Sequence, residues 1–195
     1  NDGHSVASIG WHSSSPQDSL NAVERAAKAF QENQDPRARD TILESLPRLK
    51  EALESDIPSR RESAAAAVGA VAGCSGEFYG RISDLFLAAM KDPVGSVRLR
   101  AAKAFAEQLY FLRGALEAFR PAVPAMETAL RDSDPWVRNS AAQALGHLGG
   151  VGTTEAFSAL VRTMGDAHYV TRQTATISLG KYGPRAVAPL LRALK

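Results

Sequence analysis

The side chains with the most capacity for chemistry in this sequence are aspartates and arginines at a fixed separation. Asp92 precedes Arg98, Asp132 precedes Arg138 and Asp166 precedes Arg172, by six residues each time. An aspartate can act as a general base and an arginine can stabilise a developing anion, so a single pair of this kind would suggest catalysis. Recurrence argues against it. An active site occurs once in a chain, so these six residues read as a structural ladder of ion pairs and helix caps.

Other chemistry is sparse. Cys74 is the one cysteine, which excludes an internal disulfide and a cysteine-based zinc site, and no histidine stands close enough in sequence to activate it. His4 and His12, with Asp2, have ligand chemistry but lie in the Ser-rich stretch "NDGHSVASIGWHSSSP", which lacks the periodicity that would preorganise a metal site. There is no phosphate loop, no nucleophile elbow and no histidine pair at helical metal-binding spacing. The sequence therefore predicts no catalytic residues, no metal, no cofactor and no enzymatic activity.

The elements that must position the ladder are helices in repeated pairs. The segments "ALESDIPSRRESAAAAV", "AMKDPVGSVRLRAAKAF", "ALRDSDPWVRNSAAQAL" and "TMGDAHYVTRQTATISL" align on Ser55, Asp92, Asp132 and Asp166, at intervals of 37, 40 and 34 residues. Arg61 completes the arginine series, and an alanine follows each arginine by three residues: Ala64, Ala101, Ala141 and Ala175. Val137, Ala141, Ala144, Leu145 and Leu148 carry the three-to-four spacing of one buried helix face. Gly149-Gly150 and Gly183-Pro184 stop two of these helices. Partner helices are expected at 41–53, 78–90, 120–130 and 153–164, and "QLYFLRGALEAF", 108–119, is expected to lengthen the second helix of unit two. Self-similarity at this period marks a stacked array in which each unit buries its apolar face against its neighbours.

These residues resemble the HEAT-repeat family, and in particular the shorter HEAT-like repeats of bacterial proteins. In that pattern a proline in the first helix stands eight residues before the turn aspartate, with the arginine six further on. Pro124, Asp132 and Arg138 fit it, and Pro47, Ser55 and Arg61 fit with serine for aspartate, whereas units two and four carry Asp84 and Ser158 in place of the proline. The resemblance covers residues 40–195 and implies an all-α, right-handed α-solenoid of stacked antiparallel helix pairs, armadillo-type in architecture. Four full repeats are expected, with unpaired terminal helices at 17–33 and 183–195. Residues 1–16 read as a flexible arm and 17–195 as one domain. An array that opens and closes mid-repeat reads as a segment of a longer protein or as one capped by lone helices.

By analogy with the family, the second helices line a concave face, which places Trp136, Asn139, Gln143, His147, Arg100, Lys103, Tyr110, Gln173 and Lys181 there as candidate binding residues. Trp136 stands where the other units have Ser59 or Arg60, Ser96 and Val170, and Trp136, Asn139, Gln143 and His147 run down one helix stripe. Amides and aromatics of this kind grip a polypeptide, so the expected function is a non-catalytic protein-binding scaffold. Nucleic-acid binding through Arg100, Lys103, Arg138 and Lys181 is the second reading. An accessory subunit resembling those of bilin lyases is the third. A formal charge of +2, from 23 basic and 21 acidic side chains, is too small to drive phosphate binding by itself. No apolar run reaches membrane-spanning length, and a cytoplasmic location is expected.

Overall fold

A computed structural model describes residues 16–111, 116–149, 154–187 and 191. The described residues form helices and no strand. In chain order these are α1 (Pro16–Asn33), α2 (Pro36–Leu53), α3 (Pro58–Cys74), α4 (Gly76–Ala89), α5 (Gly95–Phe111), α6 (Val123–Ala129), α7 (Pro135–His147), α8 (Thr154–Thr163) and α9 (Tyr169–Gly180). A 3-10 segment, Leu116–Ala122, leads into α6, and another, Gly183–Ala186, follows α9. Helix starts follow local chemistry. Proline opens α1, α2, α3 and α7, where its missing N–H has no intrahelical partner to lose. Asp35 accepts from the Arg37 N–H to cap α2, and Asp134 accepts from the Trp136 N–H to cap α7.

The pairs α2–α3, α4–α5, α6–α7 and α8–α9 stack in sequence, so the second helices α3, α5, α7 and α9 make one row and the first helices another. Lone α1 packs on α3 in the second-helix row. It begins at Pro16, the last residue assigned to the arm; residues 1–15, with His4, His12 and Asp2, lie outside the described residues.

Small side chains set the spacing of the inner row. From Ala67 to Cys74, α3 is buried on all sides, which its Ala- and Gly-rich sequence allows. A Cβ on Gly69 would collide with the Ala101 carbonyl, and one on Gly73 would lie 2.7 Å from the Gln108 Cβ. The helices touch backbone to backbone there. Gln31 of α1 reaches across α3 to the Gln108 carbonyl at 2.8 Å, so the stack curls inward over α3 and the second helices lie on the inner side. Between the layers, Phe86, Phe105, Phe119 and Tyr79 form a connected aromatic core, with ring centroids from 4.6 to 6.3 Å apart.

One expected boundary holds only in part. Residues 108–111 of the segment 108–119 belong to α5, which at 17 residues is longer than α7 at 13 and α9 at 12; 112–115 lie outside the described residues, and Leu116 to Phe119 belong to the approach to unit three, where Phe119 is core. Pro121 and Pro124 explain the broken form of that first helix, since two missing N–H groups interrupt the α-helical ladder and a 3-10 turn replaces its first half. Of the expected terminal helix at 183–195, residues 183–186 form a 3-10 turn, and 188–190 and 192–195 lie outside the described residues.

Candidate functional site

The aspartate–arginine pairs join neighbouring units. Arg61 donates through Nε to Asp92 at 2.8 Å, Arg98 to Asp132 at 2.6 Å and Arg138 to Asp166 at 2.7 Å. The second terminal nitrogen of Arg98 and of Arg138 completes a bidentate fork at 2.8 Å. The remaining nitrogen points home: Arg61 donates to the Ser55 carbonyl at 2.9 Å, Arg98 to that of Asp92 at 2.7 Å and Arg138 to that of Asp132 at 2.9 Å. Each arginine thus ties its own turn to the next one. Each aspartate also folds its own turn, accepting the N–H two residues on, from Val94, Asp134 and His168. That N–H lies ahead of the helix, so the ladder aspartates make Asx turns rather than N-caps, and the cap itself falls at Asp134 in unit three.

Electrostatics follow from this geometry. The Arg138 fork holds the Asp166 carboxyl below the ordinary carboxylate range against the opposing pull of burial. For Asp132, burial is the larger single influence and would raise it, but the Arg98 fork and the Asp134 N–H together hold it below. The same bonds raise Arg98 and Arg138.

The inner face carries a different population. The exposed large apolar side chains are Ile57, Tyr110, Phe111, Trp136, Tyr169 and Ile177 on the second helices or their caps, against Met164, Val187 and Leu191 elsewhere among the described residues. Trp136, 49% exposed, packs edge-on to the His168 ring at 5.1 Å, at the starts of α7 and α9. At the opposite ends of the helices, Tyr110 lies edge-on to His147 at 5.5 Å and to Phe111 at 5.1 Å. The Lys181 amine sits 3.3 Å from Nδ1 of His147. Burial and the Lys181 charge lower His147 to about 4, so the imidazole is neutral and accepts the Lys181 proton bond. Trp136 and His147 are eleven residues apart on α7, or about 16 Å at 1.5 Å per residue. Between these aromatic rims lie the amides of Asn139 and Gln143, half-buried on α7, and of Gln173, exposed on α9. The Asn139 Oδ1 is buried without a hydrogen-bond partner among the described residues.

The structure separates the candidate cations. Arg138 is consumed by Asp166 and is not available to a phosphate, which removes one of four residues from the nucleic-acid reading. Lys103 lies 3.9 Å from Glu107 on its own helix, and Arg100 acts on Glu24 of α1, whose carboxyl is raised by burial and pulled back by that arginine. The inner face is therefore a mixed-charge surface. Cys74 is buried and its thiol is pushed up to about 12 by burial, the opposite of an activated nucleophile. No group of three or more His, Cys, Asp or Glu side chains is placed to hold a metal among the described residues, and no described helix is long and apolar enough to cross a membrane.

The profile of the HEAT-repeat family matches residues 82–151 and again 129–195. The two spans overlap and together take in more than half of the chain. The chain belongs to the HEAT-repeat family. No curated protein matches it. Among solved structures, it is similar to the complex of CpcE and CpcF of phycocyanin lyase from Nostoc sp. PCC7120, with 18% identity, 82% of this chain and 98% of that chain covered, and a TM-score of 0.54. An engineered protein aligns with 20% identity over 93% of this chain and 81% of its own, at a TM-score of 0.58. A designed armadillo repeat protein in complex with the peptide (KR)4 aligns with 17% identity, 86% and 82% coverage, and a TM-score of 0.53. At these identities the likeness is one of fold.

Two neighbours of the candidate residues in this HEAT array, His168 and Tyr169, were not singled out by the sequence. His168 is the ring against Trp136, and Tyr169 lies under the Arg172 guanidinium at 5.8 Å. Phe111 lines a cleft of about 550 Å³ with Lys28, Gln31 and Glu32 of α1 and Glu107 and Gln108 of α5. His168 occupies the turn position of Asp134, two residues beyond the ladder aspartate, and alignment of the four turns contains that signal.

Proposed function

We propose that this HEAT-repeat protein is a non-catalytic scaffold that holds an extended polypeptide on the inner face of units two to four. The observation that carries the reading is the placement of exposed large apolar side chains, which favour the second helices and are missing from α2, α4 and α6 among the described residues. Exposed aromatics at both ends of the helices, with amides between them, suit an extended chain. The rings supply contact area at small entropic cost, and the amides bond a backbone without demanding its sequence. The similar designed armadillo proteins, one of them bound to a basic peptide, are in keeping with it. Nucleic acid is disfavoured by the loss of Arg138 and by Glu107 beside Lys103.

The test is selection of a random displayed-peptide library on the intact protein, with the selected peptides then measured on variants. Trp136→Ala should weaken binding by about 2 kcal/mol if it acts as a hot spot, and Gln143→Ala by less, with helicity unchanged. Peptides indifferent to both substitutions, alongside a clear fall in the melting temperature of Trp136→Ala, would make Trp136 a packing residue and remove the inner face from consideration.

A further inference from the structure

At the far rim of the inner face two bases lie in contact. His147 closes α7, and the Lys181 amine, at the end of α9, lies 3.3 Å from its Nδ1 and 3.4 Å from its Nε2. The ammonium turns back over α7 rather than out past α9. Tyr110 of α5 meets the same imidazole edge-on at 5.5 Å, so three described helices meet at this ring.

Two neighbouring bases are eased by an acid, since each positive charge opposes the other. No acid accompanies this pair. Residues 135–154 and 167–195 hold no aspartate or glutamate, and neither do residues 112–115. Nine residues beyond the ladder arginines the matching positions are Ala70, Glu107, His147 and Lys181. Glu107, the acid in register on α5, lies 3.9 Å from its own Lys103. Both bases are accordingly held below their ordinary values, His147 by burial and the Lys181 charge and Lys181 by burial, with no carboxylate raising either.

What the rim offers a ligand is donors. An ammonium has three N–H groups, of which one is given to His147, and the neutral imidazole keeps an N–H on its other nitrogen. Lys181 and Tyr110 are exposed and His147 is half-buried, so a ligand can reach them. The matching group accepts only, and an ionised carboxylate does so. One ammonium without a guanidinium fork suits a single negative charge better than a phosphate, which favours bidentate arginine.

We propose that Lys181 and His147 form a carboxylate-binding subsite on the inner face, which takes an aspartate or glutamate side chain of the bound polypeptide. The subsite rests on the reading of that face as a peptide groove, and adds the charge of the partner and its spacing. Trp136 and His147 stand about 16 Å apart along α7, and an extended chain advances about 3.3 Å per residue. The acid therefore falls about five residues from the side chain that meets Trp136. Gln143 and Ile177, one helical turn before His147 and Lys181, lie on the path between. A seated carboxylate offsets the Lys181 charge and makes the His147 ring easier to protonate, which an amide side chain does not.

The experiment uses the full chain and two hexapeptides with blocked ends, one with leucine first and aspartate last, the other in reverse order, with alanine between. Asparagine replaces aspartate in the controls. NMR of the histidine rings at low salt reads both binding and titration, and His168 beside Trp136 is the internal reference. The aspartate peptide of one order should bind about threefold to tenfold tighter than its control and raise the His147 titration by about one pH unit. Lys181→Met should erase both differences. Trp136→Ala should weaken aspartate and asparagine peptides alike and leave their ratio unchanged. Equal affinity for the two, an aspartate preference that survives Lys181→Met, or no saturable change at His147 up to about 10 mM peptide would each overturn the subsite. Equal affinities that both fall in Trp136→Ala would still leave the peptide groove standing, whereas an aspartate preference with affinity untouched by Trp136→Ala would keep the subsite and remove the groove.

Discussion

Replacing Asp132 by alanine is the most informative perturbation of the ladder. Its carboxylate closes four interactions: two from the Arg98 fork at 2.6 and 2.8 Å, the Asp134 N–H at 2.9 Å and a long contact from the Ser133 hydroxyl. The side chains are 9% and 15% exposed, so Arg98 would be left largely out of water with half its fork empty. Capping and turn bonds alone are worth about 1 kcal/mol, but removal of one partner from a buried pair costs about 3–5 kcal/mol. Residual exposure and the two carbonyls that still hold Arg98 place the expected loss near the lower end, about 3 kcal/mol. Arg98→Met should lose less, about 1–2 kcal/mol, because an apolar side chain fills the site and Asp132 keeps its turn bonds. The double variant should then fall short of the sum by about 1–2 kcal/mol. Urea unfolding followed by circular dichroism measures all four corners of the cycle, with local amide exchange as a check because helical arrays need not unfold in one step. Losses below about 0.5 kcal/mol that simply add would show that the rungs are surface ion pairs of no consequence.

Equivalent glycines should respond with opposite sign. Gly146→Ala forces a methyl into Ser178 and should destabilise by about 1–3 kcal/mol, whereas Gly180→Ala meets nothing within 4 Å among the described residues and should be neutral or gain up to about 1 kcal/mol; thermal melts decide. Acid should unfold the array through its carboxylates. Asp132 and Asp166 are held low in the fold, so their contribution is complete above the ordinary carboxyl range near pH 4 and is lost as pH falls through the native values, which acid titration monitored by circular dichroism will show. His147, lowered to about 4, adds an earlier slope: between its ordinary value near 6.5 and pH 4 the unfolded chain binds a proton that the native chain does not, so stability should fall with pH there, and His147→Gln should flatten that segment. Duplex DNA should bind weakly and without sequence preference, and tight binding with a steep salt dependence in a filter assay would reinstate the cationic reading.

Most of the fold was legible because the repeat is written in residues whose chemistry is local. The Asp–Arg spacing, the alanine three residues on, and the glycine stops each follow from what a turn or helix requires, and four copies in register leave little freedom. Departures came where tertiary packing decides. Nothing in "QLYFLRGALEAF" distinguishes a helix that runs on to Phe119 from one followed by a separate segment at Leu116; that segment reflects the burial of Phe119 against Tyr79 and Phe105, a contact between units. The candidate site was legible as positions and illegible as partners. Asn139 and Gln143 could be placed on one stripe from spacing alone. The pairing of Trp136 with His168 depends on the angle between α7 and α9, which is set by Ser178 donating to the Ala142 carbonyl at 2.8 Å and Thr171 to that of Pro135 at 3.1 Å.

Those two hydroxyl bonds tie close packing to the shape of the inner face. Between α7 and α9, backbone carbonyls of one helix accept from Ser and Thr of the next, and glycine lets the helices approach far enough for them to do so. Close approach on this side, with the first helices farther apart, bends the stack and turns the second helices toward a common space. Once bent, the array exposes along its inner row rings and amides that its own curvature concentrates. A substitution in the ladder should therefore alter stability and, through curvature, binding on the inner face, whereas Trp136 and Gln143 should alter the contact alone, and comparison of the two variant classes in one peptide-binding assay separates curvature from contact.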